Sequence, residues 1–196
     1  MRHIKFQDTS LRDGEQTPGI AYSLQNKIEL TKAIISLGLD SIEIGFPAAS
    51  KEEANIIEKI CTNFNKNKTE FVVFSRAIEQ DIDIAYSSVK KAQNKKIQIV
   101  APSSNIHILH STKENKSSLL KNIEKSLIFA KDKFSNIQFT AQDAPRADIG
   151  FLTEMVEIAL FNGATTICLP DTTGFSLPHE YANLISTIKE ITKKHQ

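Results

Sequence analysis

Between residues 8 and 19 the chain reads Asp8-Thr9-Ser10-Leu11-Arg12-Asp13-Gly14-Glu15-Gln16-Thr17-Pro18-Gly19. An arginine beside a carboxylate can grip an anionic oxygen with its fork of N–H donors while the carboxylate takes a divalent metal. The segment follows an alternating run, His3 to Phe6, so Arg12 and Asp13 would stand just past a strand end. Read alone, the pair could also be an ion pair closing a tight turn, because Asp, Gly and Pro are common turn residues. Three other stretches concentrate the same residue types: Ser41-Ile42-Glu43-Ile44-Gly45-Phe46-Pro47-Ala48-Ala49-Ser50, Gln142-Asp143-Ala144-Pro145-Arg146-Ala147-Asp148, and Leu169-Pro170-Asp171-Thr172-Thr173-Gly174.

Short β-branched or aromatic runs alternate with longer segments of helical period, which predicts repeated βα units and a parallel sheet. Six strands are expected, near His3 to Phe6, Ser41 to Ile44, Glu70 to Phe74, Ile97 to Ala101, Ile137 to Ala141 and Thr165 to Leu169. The first helix should run from an N-cap at Ser23 to a stop at Gly38, with Ile28, Leu30, Ile34, Ile35 and Leu37 as its apolar face. Others are expected near Lys51 to Cys61, Glu79 to Ala92, Ser117 to Lys133, Asp148 to Asn162 and Leu177 to Lys193. The charged and hydroxyl residues then fall just after strands: Arg12 and Asp13, Phe46-Pro47, Ser75-Arg76, and Asp171-Thr172. That is the C-terminal face, where parallel α/β folds place their sites.

A chain of 196 residues, 40% hydrophobic and 24% charged, is long enough to bury a core as one domain. A net charge of +1 and the lack of Lys and Arg tracts interleaved with aromatics argue against nucleic acid as a partner. No apolar run reaches membrane-spanning length, and a cytoplasmic location is the default expectation. Cys61 and Cys168 offer no disulfide framework or zinc pattern and are read as small buried hydrophobes. The segment Pro102 to Ser118 reads as a long loop with few helix signals, carrying His107 and His110. Two histidines three apart could share a metal only on a helix.

The four blocks, in their order and spacing, resemble the metal-dependent acyl-CoA Claisen enzymes of the 2-isopropylmalate and homocitrate synthase family, and they cover essentially the whole chain. The resemblance implies an α/β fold of the (β/α)8 TIM-barrel type. It also implies condensation of acetyl-CoA with a 2-oxo acid, with a divalent metal (Mg²⁺, Mn²⁺ or Zn²⁺) as cofactor and acetyl-CoA as cosubstrate. By that resemblance Asp13 is the metal ligand, and Arg12 and Gln142 stand at catalytic positions. On the same ground Gln16, Glu43 and Thr172 would meet substrate, and Arg76, from its place just after the third strand, is a further candidate to bind a substrate carboxylate. Two readings stay open on the residues themselves: Glu43 could cap a helix or pair with a cation, and Arg76 could close a surface ion pair.

The chain also departs from the family pattern. The His-x-His pair of the seventh strand has no counterpart, and His195 in the tail has no partner at the required spacing. Gln142 stands where the family usually has Glu, and Gln98 where the isopropylmalate branch has His. A closed barrel needs eight strands and about 250 residues, so six units would leave two open edges. The expected partners are therefore a homo-oligomer or a complementing polypeptide, besides the oxo acid and acetyl-CoA. A noncatalytic protein of the same fold, and a metal-dependent lyase on the same barrel, are the alternatives.

Overall fold

The structure is a computed structural model that describes residues 4–112 and 114–193. Strands and helices alternate along it: β1 (Gln7–Asp8), α1 (Leu24–Ser36), β2 (Ser41–Gly45), α2 (Lys51–Asn63), β3 (Glu70–Arg76), α3 (Glu79–Val89), β4 (Lys95–Pro102), α4 (Asn105–His107), α5 (Lys116–Lys131), β5 (Ile137–Gln142), α6 (Ile149–Phe161), β6 (Thr166–Cys168) and α7 (Pro178–Lys193). The strand order is β1-β2-β3-β4-β5-β6. Laying each strand beside its predecessor with helix between is the arrangement of a TIM barrel, carried here through six of its eight βα units. The chain forms two compact units, Met1–Ser75 with Gln80–Ile97, and Arg76–Glu79 with Gln98–Gln196.

In the first unit β1 pairs in parallel with β2, and β2 with β3. All five residues of β2 are buried, as expected of a parallel strand covered on both faces. Its Ile42 and Ile44, with Phe71, Val72 and Val73 of β3 and Ile57 and Ile60 of α2, form the core. Ser23 caps α1 through a full capping box with Asn26, as its sequence position predicts. Gly38, at φ 72, ends the helix by adopting a left-handed conformation.

In the second unit β5 pairs in parallel with β6. The core joins Phe139 and Ala141 of β5 to Ile123 and Leu127 of α5 and to Leu152, Met155 and Val156 of α6. Asn115 and Asp148 cap α5 and α6 by accepting backbone N–H bonds from Ser118 and Phe151.

Four expectations need correction. The first strand lies at Gln7–Asp8 rather than over Ile4 to Phe6, whose side chains at positions 4 and 6 are exposed; His3 falls outside the described residues. Phe6 instead leads in, its N–H bonded to Asp40 and its C=O accepting from Ser41. The buried stripe of α1 is Lys27, Thr31 and Ile34, while Leu37 is 71% exposed. Lys27 enters the interior because two carboxylates meet it there. The Pro102 to Ser118 loop winds into helical turns, α4 and a π-type turn over Ile108–Thr112, started by a Ser104 cap on the His107 N–H. Cys168 is half-buried on the short β6, whereas Cys61 is buried as expected.

Candidate active site

In the first unit the backbone folds tightly after β1. The Thr9 carbonyl accepts N–H bonds from Arg12, Asp13 and Gly14, and a 3-10 turn follows over Gly14–Gln16. This turn aims Arg12 at β2. Its Nε lies 2.8 Å from Glu43 Oε1 and its Nη2 2.9 Å from Oε2, a bidentate fork on a carboxylate only 1% exposed. Nη1 reaches Asp13 Oδ1 at 2.9 Å. The guanidinium carbon lies 5.3 Å from the centre of the Phe74 ring, and Phe46 meets that ring edge-on at 4.8 Å. The planar cation is thus held by one aromatic wall and two carboxylates. Burial pushes the Glu43 carboxyl above the usual carboxylate range, and Arg12 opposes the rise.

In the second unit the turn after β5 carries a buried carboxylate, Asp143, in the left-handed conformation at φ 64. Among the described residues no other non-glycine side chain sits at positive φ. Several groups hold it there. Arg146 places Nε 2.9 Å from each carboxylate oxygen and Nη2 2.7 Å from Oδ2, and His107 Nδ1 lies 2.8 Å from Oδ2. The Asp143 N–H donates to Thr172 Oγ1 at 3.0 Å. Burial alone would raise the Asp143 carboxyl, but hydrogen bonds from Arg146, Ser104 and His107 outweigh it and hold the group below its ordinary range. Asp171 closes the neighbouring loop by accepting N–H bonds from Phe175 and Ser176.

The family model described as HMGL-like matches residues 3–196. The chain belongs to the HMGL-like family. Among curated HMGL-like relatives, the 2-isopropylmalate synthase of Oceanobacillus iheyensis is 37% identical over 190 residues, which are 97% of this chain and 36% of that protein. That of Staphylococcus carnosus is 37% identical over 193 residues, 98% of this chain and 38% of the relative. The chain therefore spans little more than a third of the length of these relatives. Among solved structures, the HMG-CoA lyase of Brucella melitensis matches with a TM-score of 0.77 at 14% identity, covering 97% of this chain and 69% of that one. The HMG-CoA lyase of Acinetobacter baumannii, determined with coenzyme A and 3-methylmalate, gives 0.76 at 22% identity, covering 94% and 62%. At these identities the likeness shows the fold.

Of the residues singled out in this HMGL-like sequence, Arg12, Asp13 and Glu43 come together in the first unit, and Gln16 is exposed in the turn that follows them. The cation left open as a partner for Glu43 is Arg12 itself. Gln142 and Thr172 flank Asp143 in the second unit, Thr172 by its hydroxyl. The Gln142 carbonyl accepts from the Ser103 N–H and hydroxyl, and its side chain is half-buried. Arg76 is exposed at the end of β3. His107 and His110 do not share a site: His107 turns to Asp143 and His110 is exposed.

Sequence reasoning passed over three groups. Asp143 lies next to Gln142 in the quoted block, and its left-handed backbone is not written in its residue type. Thr140 stands two residues before Gln142, on the same face of β5, and its buried Oγ1 has no hydrogen-bond partner. Lys27 was hidden by its charge. As for a metal, Asp13 is a single carboxylate, 61% exposed, and among the described residues no three His, Cys, Asp or Glu side chains gather to hold an ion. The described residues do not by themselves make a metal centre.

Proposed function

We propose that this chain carries the N-terminal part of an acyltransferase that condenses acetyl-CoA with a 2-oxo acid, of the 2-isopropylmalate or homocitrate synthase type. The observation that supports it most is the Arg12 fork locked on buried Glu43 beside Asp13, on the turn that follows β1. In such a condensation a general base takes a proton from the thioester methyl group, the carbanion attacks the 2-oxo carbon, and the carbonyl electron pair moves onto oxygen, which then takes up a proton. Arg12 is held rigidly enough to donate N–H bonds to that oxygen as its charge develops. In the second unit the Thr172 hydroxyl accepts from the Asp143 N–H and keeps its own proton to donate; its assignment to the oxo acid's carboxylate rests on the family resemblance. Hydrolysis of the new thioester by water then releases coenzyme A. Acetyl-CoA and a divalent ion (Mg²⁺, Mn²⁺ or Zn²⁺) belong to this reading by family resemblance, with Asp13 as the one ligand this chain would give. Gln16 is assigned to the substrate and Gln142 to the neighbourhood of the reacting carbon on the same ground, and Arg76 to a substrate carboxylate from its place at the end of β3.

The test is complementation. The chain is combined with the remaining segment of the Oceanobacillus iheyensis relative, where the family resemblance puts the His-x-His pair, and thiol release from acetyl-CoA is followed with a series of 2-oxo acids. Oxo-acid-dependent release supports the reading; no release with any oxo acid or metal overturns it.

A second reading, a noncatalytic partner with the same fold, is favoured by one contact. Gln98 Oε1 accepts from Gln138 Nε2 at 2.8 Å with both side chains buried, so the residue that replaces the isopropylmalate branch's histidine is committed to the scaffold. Under that reading Gln142→Glu in the complemented protein yields no turnover.

A further inference from the structure

We propose that Lys27 is a positioning residue: its buried ammonium latches the loop bearing Arg12 and Asp13 to helix α2. The Lys27 side chain is 1% exposed, a burial that lysine seldom reaches without partners. Its Nζ lies 2.7 Å from Glu15 Oε2 and 2.9 and 2.8 Å from the two oxygens of Glu53. An ammonium has three N–H donors, and these oxygens account for them all. Glu15 sits in the 3-10 turn two residues after Asp13, and its other oxygen accepts the Tyr22 N–H at 3.1 Å. Glu53 belongs to the first turn of α2, where its own N–H is fixed by Ser50.

One cation on α1 therefore ties the loop at one end and α2 at the other. A methionine of similar length would fill the same space with less desolvation, and buried ion pairs add little net stability. What an apolar residue could not do is fix where Glu15, and with it Arg12 and Asp13, must lie. The Glu53 carboxylate is itself accommodated only because residue 45 carries no side chain. The functional weight of this latch rests on the reading of Arg12 and Asp13 given above, whereas its mechanical part does not.

Hydrogen–deuterium exchange on the full chain, read by mass spectrometry with and without Glu15→Gln, tests it. Glu15→Gln cuts only the loop end of the bridge. Amide exchange across residues 9–17 should rise about tenfold, with peptides of α2 and β2 keeping their protection. Lys27→Arg should hold the loop near wild-type exchange, and Lys27→Met should release it as Glu15→Gln does. Unchanged loop exchange in Glu15→Gln overturns the proposal. So does a rise of equal size in every peptide, which would mean that the triad serves general stability alone. If Lys27→Met does not fold, Glu15→Gln still decides, because Glu15 is partly exposed. Exchange needs no turnover, so a loop that loosens in a chain that fails complementation leaves the latch standing and removes the acyltransferase reading.

Discussion

The carboxylate of Glu53 occupies the space that a side chain on Gly45 would need. An added Cβ would run into Glu53 Oε1 and stand 3.0 Å from Ile57 Cδ1, and Gly45 already has φ 145, where other residues are strained. The motif glycine at the end of β2 is thus fixed by an ion pair whose other members lie on α1 and in the β1 loop. Gly45→Ala should lower stability by about 2 kcal/mol through combined strain and overpacking. The expected reading is a lower urea midpoint at unchanged slope; an unshifted midpoint would show that Glu53 can move aside freely.

Asp143 makes stability depend on acid. Its carboxyl is held below the ordinary range, so the folded chain binds this proton less tightly than the unfolded chain does. The resulting stabilisation is present above the unfolded value of about 3.8 and is lost as pH falls through the lower folded value. Asp143→Asn tolerates the left-handed backbone but removes the charge. The gap between wild type and variant in urea midpoint should shrink as pH is lowered from 6 towards 3. A gap of constant size would sink this account.

Thr140 carries a buried hydroxyl without a hydrogen-bond partner. Valine has the same shape without the hydroxyl, so Thr140→Val should raise stability by about 1 kcal/mol. A stability loss of that size would mean that the hydroxyl is paired in solution.

The two thiols should differ sharply. Burial pushes the Cys61 thiol up to about 12, so almost none of it is thiolate at neutral pH, whereas Cys168 is half-buried. Alkylation by iodoacetamide at pH 8 should modify Cys168 in the native chain and Cys61 only after denaturation. Equal rates at both positions in native buffer would contradict the burial of Cys61.

In the complemented protein, Arg12→Lys keeps the charge but gives up the fork on Glu43, since an ammonium cannot match both carboxylate oxygens in one plane. The expected result is a fall in kcat/KM of about 10²-fold with little change in stability. Activity within a factor of about two of the parent would remove Arg12 from the chemistry.

The parts of this molecule that could be read from its sequence are those fixed by near neighbours in the chain. Ser23 meets Asn26 and Gly38 ends α1 within a few residues, so this cap and this stop fell where residue types put them, and α6 begins at Asp148, whose side chain meets the nearby Phe151 N–H. The βα alternation was legible because strand and helix burial have different periods. Lys27 was not, because its partners lie 12 residues before and 26 residues after it, and an isolated lysine in a helix is ordinarily solvated. The turns at 105–112 start at the local Ser104 cap, but the contact they carry, His107 on Asp143, spans 36 positions. The displaced β1 has a related cause: a strand of two residues carries no periodicity, and its place is set by pairing with Ser41 and Ile42. Residue types flagged Arg12, Asp13 and Glu43 in the first unit and Thr172 in the second, but the fork on Glu43 and the bond from the Asp143 N–H to Thr172 were visible only once the chain had folded.

The Arg12 fork also governs how an anion would be sensed from a distance. One cation here faces two carboxylates, Glu43 and Asp13, so this corner of the molecule projects no positive potential outwards. An incoming carboxylate gains nothing by long-range attraction and is recognised only on contact, through oriented N–H bonds. Association with such a corner, which carries one positive and two negative groups, should therefore be slow to start and quicken modestly as salt screens the repulsion, the opposite of the capture by sites lined with unpaired lysines, which salt weakens.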